Sequence, residues 1–167
     1  SLRKSLARSE KNSRLGFISK TWLLKLKMKL VLDTSFLIEL KKKNEKAIEL
    51  LEKYKSSAED VIISRLTHYE LLVGCTYLYK KTGDLREYLW LEGVLQWVTV
   101  NDIKSEVIKL AAELKAKALL EGNTLSDLDL LIATSGGKDC LLLTFDESQE
   151  RMSRYLEEVG VKVEYLR

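Results

Sequence analysis

The fold is decided by the stretch KLVLDTSFLI at residues 29–38, in which a short apolar strand pattern runs directly into a helix start. The run KLVL is typical of a buried strand that ends at Asp33, and Thr34 with Ser35 can begin a helix there. The same succession recurs along the chain. Strands are predicted at 29–32, 61–64, 97–100, 140–144 and 161–165. Helices are predicted at 34–42, 45–55, 66–81, 85–95, 102–120, from 126 to the Gly136-Gly137 pair, and at 147–159.

Strands that alternate with helices, with almost no hairpin signal, predict an α/β fold whose parallel sheet is covered on both faces. The chain has 167 residues, enough for one compact domain, and its 46% hydrophobic and 32% charged residues exclude a disordered tail or a membrane protein. No repeat, low-complexity tract or linker divides residues 28–167, so we expect a single domain there.

The net charge of +3 belongs to the first part of the chain. Residues 1–27 hold eight of the 28 Lys and Arg and one of the 25 acids, which leaves 20 bases and 24 acids for residues 28–167. The high pI is therefore no evidence that the folded body binds nucleic acid. We expect residues 1–27 to be an extension outside the core fold; the alternative is a basic arm that finds RNA by charge, with Trp22 for stacking.

The sulfur and imidazole groups are few. Two cysteines, Cys75 and Cys140, cannot staple a secreted domain, so reduced thiols in a cytoplasmic protein are expected. Cys140 heads an apolar strand and is predicted to lie in the core. A single histidine, His68, leaves little material for a zinc site or a Ser-His-Asp triad, and we expect it to be a solvated or hydrogen-bonded helix residue.

Acidic residues follow several of the predicted strands, where functional groups of parallel α/β folds collect. Asp33 closes the first strand, and Glu70 lies one or two helical turns beyond the second. Asp127 and Asp129 open the helix that begins at residue 126, and Asp146 follows the strand at 140–144 by two residues. We therefore expect these carboxylates to meet at one edge of the sheet.

Crowded carboxylates repel one another unless a cation neutralises them, and oxygen ligands suit Mg²⁺ or Mn²⁺. Such an ion can activate water against a phosphodiester, so the acids indicate metal-assisted phosphodiester hydrolysis. Structural roles remain as alternatives. Asp33 and Asp146 can cap helices, Asp129 can form a capping box with Ser126, and Asp127 can be a solvated acid of a first helical turn. Glu70 can face solvent.

Four segments stand out in their order and spacing: KLVLDTSFLI at 29–38, YELLVG at 69–74, DLLIA at 129–133 and LLTFD at 142–146. Together they resemble the PIN domain, and especially the VapC-type toxins of toxin–antitoxin pairs. The resemblance covers nearly all of residues 28–167. It implies a three-layer α/β/α sandwich with a central, mainly parallel sheet of four or five strands, and an endoribonuclease that depends on Mg²⁺ or Mn²⁺. It further implies a homodimer and a cognate antitoxin protein.

By motif position, the resemblance assigns the catalytic and metal-binding quartet to Asp33, Glu70, Asp129 and Asp146. Thr144 matches the hydroxyl residue that precedes the last acid, and Thr34, Ser35 and Asp127 are auxiliary candidates. Two features depart from the family pattern. Phe145 stands where a polar or basic residue is common, and the segment 147–149 (ESQ) replaces the usual aromatic residue.

Other functions are weighed against the nuclease. A phosphotransfer enzyme with Asp33 as nucleophile predicts an acid two residues on, where Ser35 stands instead. A catalytically silent PIN-like RNA-binding or assembly protein, or a PIN nuclease of RNA processing without an antitoxin, remains an alternative. The segment Gly136-Gly137-Lys138 lacks the spacing of a phosphate-binding Walker loop and is expected to end a helix.

Overall fold

A computed structural model describes residues 28–167, so the predictions made for residues 1–27 lie outside the described part of the chain. The described strands are β1 (Lys29–Leu32), β2 (Val61–Ser64), β3 (Thr99–Asn101), β4 (Cys140–Thr144) and β5 (Val161–Tyr165). The described helices are α1 (Thr34–Lys41), α2 (Glu45–Lys55), α3 (Arg65–Thr82), α4 (Arg86–Leu95), α5 (Ser105–Leu120), α6 (Asp127–Ala133), α7 (Glu147–Arg151) and α8 (Ser153–Glu158).

These strands form one sheet in the order β3-β2-β1-β4-β5, and every neighbouring pair is parallel. The central pair, β1 and β4, is in register from Lys29 opposite Cys140 to Leu32 opposite Leu143. This register brings the residue that follows β1, Asp33, beside the last residue of β4, Thr144. The carboxyl ends of the two central strands therefore lie side by side at the same edge of the sheet.

Helices cover both faces of the sheet because the strand side chains alternate between two apolar cores. Leu30 and Leu32 pack with the buried residues of α1 to α4, including Phe36. Val31 and Leu142 pack on the other face with buried residues of α5, α6 and α8. Each fully buried leucine contributes roughly 1.5–3 kcal/mol of transfer free energy, so both faces hold the layers together. The predicted three-layer α/β/α sandwich is confirmed.

Most predicted elements have the expected bounds, and the differences have local causes. The helix predicted at 147–159 is broken at Met152, which turns inward and is buried. The helix predicted to reach Gly136 ends at Ala133, where the Thr134 hydroxyl donates to the Leu130 carbonyl at 2.8 Å. None of the helices within residues 28–167 is both long and apolar enough to cross a membrane.

Candidate active site

Asp33 lies at the centre of the polar cluster at the sheet edge, and its side chain is almost completely buried, with 3% exposure. It caps α1: its Oδ1 accepts hydrogen bonds from the Phe36 amide at 3.0 Å and from the Ser35 hydroxyl at 2.6 Å. Its Oδ2 accepts from the Thr144 hydroxyl at 2.5 Å. The capping role is therefore present, and it fixes the carboxylate at the junction of β1 and β4.

Burial raises the pKa of the Asp33 carboxyl from 3.8 to about 6. The hydrogen bonds from Ser35, Thr144 and Phe36 lower this pKa, while the negative charge of Asp146 raises it further. Within residues 28–167, no cationic side chain is among the groups that set it. The folded protein thus holds a costly negative charge next to a second carboxylate, a situation that a bound cation relieves.

Two hydroxyl groups tie the end of β4 to the start of α1. The Thr144 hydroxyl oxygen accepts a hydrogen bond from the Asp146 amide at 2.9 Å while its proton goes to Asp33. The Ser35 hydroxyl oxygen accepts from the Phe145 amide at 3.0 Å and lies 3.3 Å from the Thr144 hydroxyl. Thr144 and Ser35 therefore hold Asp33 and Asp146 in a fixed relation.

Asp129 and Asp146 are joined through Ser148. Asp146 caps α7, its Oδ1 accepting from the Ser148 amide at 2.9 Å. The Ser148 hydroxyl donates to Asp129 Oδ2 at 2.7 Å, and the Gln149 side-chain amide donates to the Asp129 backbone carbonyl at 2.9 Å. Sequence reasoning marked 147–149 only as a departure from the family pattern; Ser148 and Gln149 were missed as residues that position Asp129.

Glu70 lies on α3 and is connected to the same edge through Thr34. The Thr34 hydroxyl donates to Glu70 Oε1 at 2.6 Å and lies 3.2 Å from the Thr67 hydroxyl. Thr34 directly follows Asp33, so the first turn of α1 links both acids. Glu70 is half-buried rather than fully solvated.

Asp127 differs from the other acids. Its carboxylate forms an ion pair with Lys115 of α5 at 2.9 Å, and its side chain is 81% exposed. Two residues on, Asp129 makes the contact with Ser148 described above. Positions two apart on a helix point about 200° away from each other, so the side chains of these two acids diverge. The structure does not bring Asp127 into the hydroxyl-linked cluster, and it corresponds to the alternative of a solvated first-turn acid.

The remaining predicted residues behave as core or surface groups. Cys140 and Cys75 are free thiols with buried side chains, as predicted for Cys140. The His68 Nδ1 lies 3.0 Å from the guanidinium of Arg65 on the same helix, in agreement with a hydrogen-bonded helix residue. Neither type of residue contributes to the polar cluster.

The carboxylates fit a hydrated divalent cation better than a tight cage. Within residues 28–167, no three His, Cys, Asp or Glu side chains are close enough together to bind a metal ion directly. Three of about four lone-pair directions of the Asp33 carboxylate are occupied by hydrogen bonds, which leaves one on Oδ2. The metal ligands that the four acids offer are all carboxylate oxygens. Mg²⁺ commonly binds one or two carboxylates while it keeps several waters. The donor set is therefore suitable for Mg²⁺ or Mn²⁺.

Fold and site together define an α/β protein with hydroxyl-linked carboxylates at the carboxyl edge of a parallel sheet. The family model of the PIN domain matches residues 30–155. This match spans most of the chain, and the protein belongs to the PIN domain family. No curated protein sequence matches the chain significantly.

Solved structures of similar fold include a member of the VapBC family of toxin–antitoxin systems from Mycobacterium tuberculosis. VapBC2 from Rickettsia felis, bound to a promoter DNA fragment, has a TM-score of 0.67 at 19% identity, covering 84% of this chain and 100% of that one. DNA-bound VapBC from Salmonella typhimurium has a TM-score of 0.63 at 23% identity, with coverages of 83% and 98%. FitAcB from Neisseria gonorrhoeae has a TM-score of 0.62 at 26% identity, with coverages of 81% and 96%. The resemblance to PIN domains stated from the sequence is confirmed.

Proposed function

We propose that this protein is an endoribonuclease of the VapC type, which hydrolyses RNA phosphodiester bonds with the help of Mg²⁺ or Mn²⁺. The observation that carries the proposal is the buried Asp33 carboxylate, which is linked through Thr144 and Ser148 to two further acids at the sheet edge. A structural cap needs no burial of an unpaired charge, because caps at exposed helix ends serve equally well. Membership of the PIN domain family supports the same chemistry.

In this proposal Asp33, Asp129, Glu70 and Asp146 hold the cation, directly or through its waters. A bound divalent cation supplies an activated water and neutralises the charge that develops on the phosphodiester. The residues of the chain provide the positioning. Thr144 and Ser35 hold Asp33 with its remaining lone pair free, and Ser148 fixes Asp129. Thr34 directs Glu70 toward the same edge.

The names of the similar solved structures support an antitoxin partner. VapBC complexes are pairs of a toxin and an antitoxin, and several of the similar solved structures carry that name. We therefore propose that the chain is the toxin of a VapBC-type pair, acts as a homodimer in the cytoplasm, and has a cognate antitoxin protein. Co-expression with the protein encoded beside it, followed by size-exclusion chromatography with light scattering, tests both the pairing and the dimer.

Cleavage of a structured RNA pool in Mg²⁺, Mn²⁺ or chelator tests the activity directly. Asp33→Asn and Asp129→Asn are expected to abolish cleavage by removing metal-binding carboxylates. Asp127→Asn is the matched control, since it is the same substitution on the same helix at a side chain that pairs with Lys115 instead. Cleavage in chelator, or an equal loss of cleavage in all three variants, contradicts the proposal. A wild-type protein that binds metal but cleaves no RNA contradicts it as well and indicates a silent binding module.

A further inference from the structure

Thr67 is a completely buried threonine in the first turn of α3, with 0% exposure, close to the candidate active site. The other buried side chains of this helix are Leu71 and Cys75. An apolar residue of the same shape would pack equally well at this position, and a buried hydroxyl without a hydrogen bond costs free energy on folding. Because solvent does not reach the Thr67 hydroxyl, protein contacts alone decide what it does.

The Thr67 hydroxyl does not make the bond that threonines commonly make within a helix. Thr82 on the same helix donates to the carbonyl of Leu78, four residues earlier, at 2.8 Å. Within residues 28–167, the Thr67 hydroxyl donates to no backbone carbonyl, and its partner is the Thr34 hydroxyl on α1, 3.2 Å away. The polar group of Thr67 is therefore used for a contact with another element.

Thr34 lies between Thr67 and Glu70, and counting protons shows how the three groups are joined. The Thr34 hydroxyl donates to Glu70 Oε1 at 2.6 Å, since a carboxylate can only accept. A hydroxyl has one proton, so the contact between the Thr34 and Thr67 oxygens uses the proton of Thr67. The hydrogen bonds thus form one chain, from Thr67 through Thr34 to Glu70.

The parallel pairing of β1 and β2 explains why these side chains meet. Helix α3 begins directly after β2, and only Asp33 separates α1 from β1, so the first turns of both helices leave the same edge of the sheet. Thr67 and Glu70 are three positions apart on α3 and are neighbours on its surface. Within the described part of the chain, Thr34 is the one hydrogen-bond partner of the Glu70 carboxylate. The orientation of Glu70 therefore depends on Thr34, which Thr67 contacts from the buried side.

We propose that Thr67 is a positioning residue of the candidate active site, which holds Glu70 toward a bound divalent cation through Thr34. Thr67 is too deeply buried to touch the cation or RNA itself. In a chain of hydroxyl groups each bond polarises the next, so the proton of Thr67 makes the Thr34 hydroxyl a stronger donor to Glu70. The inference rests on the proposed function, because it requires Glu70 to take part in metal binding. Thr67 itself lies outside the four segments that resemble the PIN domain.

The test is calorimetric titration of the full chain with Mn²⁺ in the absence of RNA. Thr67→Val removes the hydroxyl and keeps the branched shape. It is expected to weaken Mn²⁺ binding about tenfold, the lower end of the effect of losing an outer partner of a metal ligand. Thr67→Ser keeps the hydroxyl and should restore most of the affinity. Thr76→Val is the matched control, because it is the same substitution on the same helix at a hydroxyl that bonds to Tyr88 at 2.6 Å instead. It should bind Mn²⁺ as the wild type does.

A double-mutant cycle tests whether Thr67 acts through Thr34. Thr34→Val should weaken Mn²⁺ binding at least as much as Thr67→Val does, because it removes the donor to Glu70. The double variant Thr34→Val with Thr67→Val should bind no more weakly than Thr34→Val alone, since the broken chain has nothing left to transmit. Losses of affinity that add up in the double variant overturn the proposal.

The outcomes separate this proposal from the nuclease proposal. If the wild type binds Mn²⁺ and cleaves RNA while Thr67→Val binds Mn²⁺ equally well, the positioning role is overturned and the nuclease stands. A role in packing alone predicts lower stability of Thr67→Val in urea with chelator and an unchanged Mn²⁺ affinity, which also overturns it. Equal losses of affinity in Thr67→Val and Thr67→Ser do the same, because the hydroxyl is then not the cause. A wild-type protein that binds no Mn²⁺ overturns both proposals.

Discussion

Replacing Asp33 by asparagine is expected to stabilise the metal-free protein at neutral pH while it abolishes cleavage. The folded state raises the pKa of this carboxyl from 3.8 to about 6, which corresponds to about 3 kcal/mol at roughly 1.4 kcal/mol per pKa unit. Because the pKa is raised on folding, the folded protein binds the proton more tightly than the unfolded chain. The destabilisation is therefore absent below about pH 4, grows as the pH rises from about 4 to 6, and is complete above pH 6.

The asparagine side chain preserves most of the local contacts. Its carbonyl oxygen can accept from the Phe36 amide and the Ser35 hydroxyl, and asparagine is as good an N-cap as aspartate. Its NH₂ group would face the Thr144 hydroxyl, which loses its acceptor at a cost of about 1 kcal/mol. The expected net gain is about 2 kcal/mol, or roughly 4–8 °C in melting temperature for a chain of this size.

The assay is thermal and urea denaturation of both proteins in chelator at pH 7.5 and at pH 4. The gain should be present at pH 7.5 and should disappear at pH 4, where the wild-type carboxyl is protonated in the folded state. Asp84→Asn serves as the control of opposite sign, because Arg86 lowers the pKa of that exposed carboxyl and its loss should not stabilise the protein. A variant at Asp33 that is as stable as wild type, or less stable, at pH 7.5 would refute the reasoning from buried charge.

Three further outcomes follow from the same contacts. Mn²⁺ at 100 times its Kd should raise the free energy of unfolding of the wild type by about 3 kcal/mol, and with it the melting temperature. It should have little effect on Asp33→Asn; differential scanning fluorimetry measures both. Ser148→Ala removes the hydroxyl that fixes Asp129, so initial rates should fall about tenfold with a change in unfolding free energy below about 1 kcal/mol; an unchanged rate would exclude this positioning role. Gly136→Ala should cost about 1–3 kcal/mol in urea unfolding through overpacking, whereas Gly93→Ala, with open space around it in α4, should stabilise the protein by about 0.5–1 kcal/mol.

The carboxylate cluster was predictable in outline because parallel strands end at one edge. Asp33 and Asp146 follow the two strands that pair at the centre of the sheet, so their proximity depends on strand order alone. The polar network between the acids was not predictable to the same degree. Ser148 and Gln149 contact Asp129 from 19 and 20 residues away, and no local pattern specifies a pairing between two short helices. That Asp129, and not Asp127, contacts Ser148 depends equally on how α6 is rotated against its neighbours.

The sequence by itself determined the α/β class, the exact bounds of four of the strands, and which acidic residues follow strands in the chain. This was possible because the alternation of short apolar runs with helical periods is a local property. Only the tertiary structure decided which polar atoms meet. It buried Asp33 and so raised its pKa, ended α6 at Ala133, and brought the Ser148 hydroxyl against Asp129. Burial and hydrogen bonding depend on side chains brought together from distant parts of the chain, and their energies are set by the low-polarity surroundings that packing alone creates.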